Sequence, residues 1–319
     1  MKKEQKVKNT NPNKVSLGIG FLFGIVVAGL IAFLVLPQSD KQNNKVLIVA
    51  QNSMINNVSP ATFPELLLFP KDQILSVDIG RMNLLCAEGL KGSESLNIQD
   101  SLATLDKWAE IVKKDTQKRM SSFYQNPAKY DNSVNLFKVI NLILTLKQEV
   151  GLDYNQDIMK RTTYLDSQDV FIHGCVAGRK KGGCISIPVT CVAVGRRLGY
   201  PLKLVLTKEH VFFRWDDGKE RFNAEACCPG CDSHPDEYYM NWPNKLSQEE
   251  VKKGCFLRSL TPAEELGLFL EIRGHCLYDE GKTAEAMVIY AYAYQLMPDS
   301  MARLANIEKV LKYELNNLR

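Results

Sequence analysis

Nine cysteines and four histidines are the residues with the widest chemical range in this sequence. Cys86, Cys191 and Cys276 fall in apolar helical patterns and read as core. Cys184 is set differently, after two glycines and at the start of a helical run, Gly182-Gly-Cys-Ile-Ser-Ile-Pro188. A thiol at a helix N-terminus lies in the positive end of the peptide dipoles, which favours the thiolate. The glycines would let a substrate approach the sulfur and the backbone N–H groups that stabilise an oxyanion. His210 opens a strand-like run, Glu209-His-Val-Phe-Phe-Arg-Trp215, and its imidazole is the candidate base for that thiol. Asn223 and Glu225 follow in Arg221-Phe-Asn-Ala-Glu-Ala226. Two residues apart on a strand, both face one side, and either would hold the imidazole in the right tautomer. The chemistry such a group performs is attack on an amide or ester carbonyl, a thioester intermediate, and release to water or an amine.

A rival site lies just downstream. Cys227-Cys-Pro-Gly-Cys231, with His234 three residues on, offers Cys228, Cys231 and His234 as metal ligands. A tetrahedral site wants four ligands, and the second, separated cysteine pair that marks a structural zinc site is missing. Disulfides or free thiols are the favoured reading, and no cofactor is called for. If the body lies outside the cytoplasm, disulfides are allowed, and an odd cysteine count leaves one unpaired, for which Cys184 is the natural choice. His173 and His275 have no partner pattern. Trp108, Trp215 and Trp242 read as packing.

The elements that must position these residues are legible in the spacing. From 76 to 151 the apolar period is helical, with helices about Ile79–Leu90, 99–122 and 133–150, the last ending before Gly151. A helix over 184–198 ends at Gly199 with Arg196 and Arg197 in its last turn. Strands follow at 203–207, 210–215 and 221–226, the last two joined across Asp216-Asp217-Gly218, a hairpin signal. Thr261-Pro-Ala-Glu264 is a capping box opening a helix to 280, with further helices at 283–297 and 300–317. Leu270, Gly274, Leu277, Ala286, Tyr290, Ala293 and Pro298 fit one tetratricopeptide unit. A single unit cannot bury its own faces, so it must pack on its neighbours.

The order of a cysteine at a helix start, a histidine on a strand and an acid or amide on the next strand resembles the transglutaminase-like superfamily. More narrowly, residues 76–298 resemble its SirB-type branch, in which tetratricopeptide-like helices follow the core. The text that carries this is Asp78-Ile-Gly-Arg-Met-Asn-Leu84, the Cys184 segment, Arg196-Arg-Leu-Gly-Tyr-Pro201, the His210 segment and Phe222-Asn-Ala-Glu225. The resemblance implies a papain-like core of α+β class with a small antiparallel sheet. It implies Cys184 as nucleophile and His210 as base. The family's acid is followed by a glycine five residues on, a spacing matched by Glu225 and Gly230; Asn223 is the fallback. The alternative reading is an inert scaffold whose tetratricopeptide-like helices dock a protein partner.

Composition is ordinary for a globular protein, at 45% hydrophobic and 24% charged residues, which excludes collagen-like, wholly disordered and disulfide-knot classes. The net charge of +4 resides in residues 1–14, which hold five lysines against Glu4. The body is therefore neutral, and nucleic acid is not an expected partner. Val15–Leu36 is uncharged for 22 residues. As a helix it would span roughly 33 Å, enough for the hydrocarbon core, and it is longer than a cleaved signal's apolar core. The lysines before it put the N-terminus in the cytoplasm and the body outside. Gly20 and Gly24 form a GxxxG. The expected organisation is a basic tail (1–14), a transmembrane helix (15–37), a linker (38–75), a helical part (76–151), a Cys/His core acting on a peptide or protein substrate (152–255), and a tetratricopeptide-like region (256–319).

Overall fold

The computed structural model describes residues 59–160, 165–227, 233–298 and 308. The chain divides into two units, Met1–Val58 and Ser59–Arg319, and every described residue belongs to the second. The expected tail and membrane run at 1–37 lie outside the described residues, as does all of the expected helix at 300–317 except Glu308. Among the described residues no helix is long and apolar enough to cross a membrane. The class is α+β, mostly helical with a small antiparallel sheet.

Packing begins earlier than 76. Helix α1 (Phe63–Leu67) is capped by Thr62. Phe63, Leu66 and Ile74 enter the main core, so the expected linker stops short of these apolar side chains. Helix α2 (Ile79–Ala87) starts at Asp78, whose carboxylate accepts from the Arg81 amide, and every residue but Arg81 is buried. Such all-round burial marks a core helix. Helix α3 (Ile98–Gln125) turns Leu102, Leu105, Trp108, Ala109 and Val112 inward, a spacing of three and four that lines one face. Helix α4 (Val134–Thr145) is capped by Ser133 and widens into a π turn at Leu146–Val150. It stops at Gly151, whose φ of 81° only glycine adopts freely.

Strand β1 (Asp153–Tyr154) pairs in parallel with β2 (Lys181–Gly182), with the short helices α5 (Ser167–Val170) and α6 (His173–Val176) between them. Helix α7 (Ser186–Arg197) buries all but its last two residues. Those two, Arg196 and Arg197, tie the core together. Arg197 pairs with Asp78 at 3.0 Å and Asp106 at 2.6 Å. Arg196 makes a two-pronged pair with Glu265 at 2.9 and 2.6 Å. Beyond them the Gly199 amide donates to the Arg196 carbonyl and the Tyr200 amide to that of Gly195, a Schellman stop.

Strands β3 (Leu202–Thr207), β4 (His210–Asp216) and β5 (Arg221–Ala224) form one antiparallel sheet in that order. The β4–β5 turn is fastened by Asp217, whose Oδ1 accepts from the Lys219 and Glu220 amides at 2.8 and 2.7 Å. Glu220 in turn accepts from Ser133 and Asn135 at the head of α4. The free edge of β3 is covered: Leu257 and Leu260 amides donate to Leu206 and Leu204 carbonyls at 2.8 and 2.9 Å. Leu204, Leu206, Val211, Phe213 and Trp215 join the main core. Val205 and Phe212 face a smaller cluster with Tyr239, Leu246 and Leu257. That cluster is supplied by α8 (Asp236–Tyr239), the segment before α9 (Gln248–Lys253) and the strand cover.

Helices α10 (Pro262–Asp279) and α11 (Thr283–Leu296) are the expected pair, and α10 carries the expected capping box from Thr261 and Glu264. Their close approach depends on small residues. A Cβ at Gly274 would lie 2.7 Å from Cδ1 of the Tyr290 ring, and Ala286 and Ala293 have no exposed surface. The pair packs on the body. Arg273 donates to the carbonyls of Cys86 and Glu88 at 2.8 and 2.7 Å and lies 3.9 Å over the Phe63 ring.

Candidate active site

Cys184 stands in a turn two residues ahead of α7, not as its first residue, because the helix opens at Ser186. The turn is held from outside. The Asp169 carbonyl accepts from the Gly183 amide at 2.8 Å and the Ser186 hydroxyl at 2.6 Å. The Asn155 amide holds the Gly182 carbonyl at 2.9 Å. Asp169 is itself fixed by Asn155 and Arg179 at 2.8 and 2.7 Å. The two glycines therefore serve packing rather than substrate access. A Cβ at Gly182 would lie 2.6 Å from the Cys175 sulfur, and one at Gly183 would lie 3.0 Å from the Asp169 carbonyl. Nor is the Gly183 amide open to an oxyanion, since it is already donating.

His210 is the first residue of β4 and follows Glu209, whose φ is 64° in the tight β3–β4 turn. The imidazole is buried, with Nε2 2.7 Å from Glu225 Oε2. The other carboxylate oxygen accepts from the Cys227 amide at 2.9 Å, so both oxygens of this buried acid have partners. The second side-chain hydrogen-bond partner of the imidazole is Cys184. With Nε2 on the carboxylate, Nδ1 is the nitrogen left for the sulfur. The Trp242 ring meets the imidazole edge-on at 4.8 Å and shields it from water.

Burial disfavours a charged His210. The hydrogen bonds to Cys184 and Glu225 and the negative charge of those groups outweigh it, and the pKa is pushed up to about 9. At neutral pH the ring holds its second proton, and both nitrogens then donate. Tyr154 borders the same region. Its phenol is pushed up by burial and by the charges of Cys184, Cys227 and Asp169, so it stays a donor.

Asn223 is not the orienting residue. Strand alternation does put it on the side of Glu225, but register sets it opposite Arg214, four residues along β4 from His210. Its Oδ1 accepts from the buried Arg214 at 2.7 Å, and its amide nitrogen donates to the His234 carbonyl and Asp236, both at 2.8 Å. It pins the 233–239 segment to the sheet.

Of the rival metal set, Cys228 and Cys231 lie outside the described residues. The His234 ring is stacked on Tyr238 with centroids 4.0 Å apart. Among the described residues there is no cluster of three or more His, Cys, Asp or Glu suited to a metal ion.

Cys227, read from the sequence as part of the Cys227–Cys231 cluster, lies beside the Cys184 turn instead. Two residues near the site escaped the sequence reading. Trp242, read as packing, and Tyr154 arrive from a loop and a two-residue strand, where no periodic signal exists. Comparison of the chain with family models, with curated proteins and with solved structures gives no match.

Proposed function

We propose that this chain is a thiol-dependent hydrolase or acyl transferase acting on amide, peptide or ester carbonyls. Cys184 is the nucleophile, His210 its proton partner, and Glu225 the group that orients and charges the imidazole. The observation that carries this reading is the buried His210 imidazole, held at 2.7 Å by the Glu225 carboxylate and acted on by Cys184. The chain order of these groups also agrees with the transglutaminase-like resemblance.

In this reading the attacking species is the Cys184 thiolate, beside the His210 imidazolium. The sulfur attacks the carbonyl carbon, and negative charge develops on the oxygen. With the Gly183 amide engaged, the Cys184 amide and the Tyr154 phenol are the donors this reading assigns to that oxygen. The imidazolium gives its proton to the leaving amine, and the thioester remains. Neutral His210 then takes a proton from water or an acceptor amine, which discharges the thioester. The run at 15–37 serves as a single-pass anchor that keeps the body outside the cytoplasm, and the α10–α11 pair is a surface for a protein partner.

The test is acyl-enzyme trapping with an activated N-acylglycine ester, read by intact mass. A hydroxylamine-labile adduct on Cys184, absent in Cys184→Ala and slow to form in His210→Ala, is expected. No adduct, together with iodoacetamide labelling of Cys184 no faster than in the unfolded chain, overturns the reading and leaves an inert scaffold.

A further inference from the structure

The mechanism leaves one nucleophilic group at the site without a role. Cys227 is half-buried and carries a free thiol. Its sulfur lies 3.8 Å from the carbonyl of Gly183, the residue joined to Cys184. Its amide is bonded to the carboxylate that holds His210. One peptide unit thus separates the contact point of Cys227 from the proposed nucleophile. The other thiols near this segment, Cys175 against Gly182 and Cys191 in α7, are buried in the core, whereas Cys227 keeps some exposure.

We propose that Cys227 is a resolving cysteine, and that Cys184 and Cys227 form a reversible redox-modification site whose oxidant is a peroxide. The inference rests on the reading of Cys184 as an activated thiol. The Cys184 thiolate attacks one peroxide oxygen; an S–O bond forms and the O–O bond breaks. Cys184 becomes a sulfenic acid, and the hydroxide released takes the His210 proton and leaves as water. The Cys227 thiol then attacks the sulfenic sulfur. The S–S bond forms, the S–O bond breaks, and the departing hydroxide takes the Cys227 proton as a second water. Two sulfurs are oxidised and one peroxide is reduced. The division of labour has a physical basis. Burial, then the charges of Glu225 and Cys184, pushes the Cys227 thiol well up, so it stays protonated and is not the first sulfur to attack the peroxide. Once Cys184 is an uncharged sulfenic acid, its part of that repulsion is gone. The disulfide caps the nucleophile before it can be driven to the irreversible sulfinic acid.

The experiment uses the full chain, treated with equimolar hydrogen peroxide, blocked with N-ethylmaleimide and digested without reductant. A cross-linked peptide pair joining Cys184 to Cys227, lighter by two hydrogens than the two thiols and split by dithiothreitol, is expected. In Cys227→Ser and in Cys227→Ala, several-fold more Cys184 should appear as sulfinic acid at the same dose, with no recovery by dithiothreitol. Folding of each variant is checked by its iodoacetamide labelling of Cys184 before peroxide. A map in which Cys227 stays a thiol, or pairs with any cysteine other than Cys184 (Cys175 and Cys191 included), overturns the proposal. The cross-link is read by mass and needs no substrate. A chain that forms it without any acyl adduct would sink the enzymatic reading and leave this one standing.

Discussion

At the scale of single residues, Glu225 does two things to His210: it fixes the ring and supplies charge. Glu225→Gln keeps a hydrogen-bonding group in place and removes the charge. Acylation at pH 7 should fall on the order of 10²- to 10⁴-fold, the range of a misassigned proton partner, while far-UV circular dichroism stays unchanged. The pH dependence follows from the raised pKa of His210. A ring whose pKa moves from 6.5 to about 9 on folding adds stability that is complete below about 6.5 and is lost as pH rises through about 9. The leaving amine also needs that proton, so acyl transfer should decline above about 9. Iodoacetamide alkylation needs no proton donor and should not decline there. A pH series that follows both reactions separates the two. Asn223→Ala should act differently. It strands a buried Arg214 donor, which costs about 1–3 kcal/mol, read from the urea midpoint, and the folded fraction should still acylate. The sequence made Cys184, His210 and Glu225 legible as candidates because nucleophile, base and acid are distinctive residue types. It did not separate Glu225 from Asn223, since both share a strand face and only cross-strand register tells which one meets His210.

At the scale of elements, the end of α7 is the junction. Arg196 reaches α10, and Arg197 reaches the N-cap of α2 and the third turn of α3, so three helices converge on two adjacent guanidinium groups. Glu265 has no exposed surface. Arg196→Met would leave that carboxylate buried and unpaired, at a cost of about 3–5 kcal/mol. Pairing it with Glu265→Leu should restore most of the loss, because an apolar pair of similar volume replaces a buried ion pair at little cost. Chemical denaturation of both variants checks this, and a single variant as stable as the parent would refute it. Helix positions here were readable from period and caps: Thr261 and Glu264 open α10, and Gly151 and Gly199 close their helices. The start of α7 was misjudged by two residues. Cys184 is held in a turn by Asp169, a tertiary contact that local pattern does not carry.

At the scale of the whole molecule, the helical pair α10–α11 is an integral wall of the body, bonded through Arg273 to α2 and through Glu265 to α7. The pattern of small residues predicted the pairing of the two helices. Where the pair docks depends on arginines far away in sequence, which period alone does not match to partners. The proposed anchor makes its own prediction. The full chain should stay with the membrane fraction through alkaline carbonate extraction, as an inserted helix does and a peripheral protein does not. Release into the supernatant would remove the anchor.

The turn at Asp217-Gly218-Lys219 has a bearing beyond its own hydrogen bonds. A solvent-facing loop tip is ordinarily the safe place to splice an epitope tag or a fluorophore handle. Here the same loop sets the count between two arms of the sheet. One added residue absorbed by sliding β5 would turn its side chains to the opposite side and carry Glu225, the residue after it, away from His210. Labels belong elsewhere, since a spectroscopist who put one here could obtain a soluble, well-ordered and silent protein.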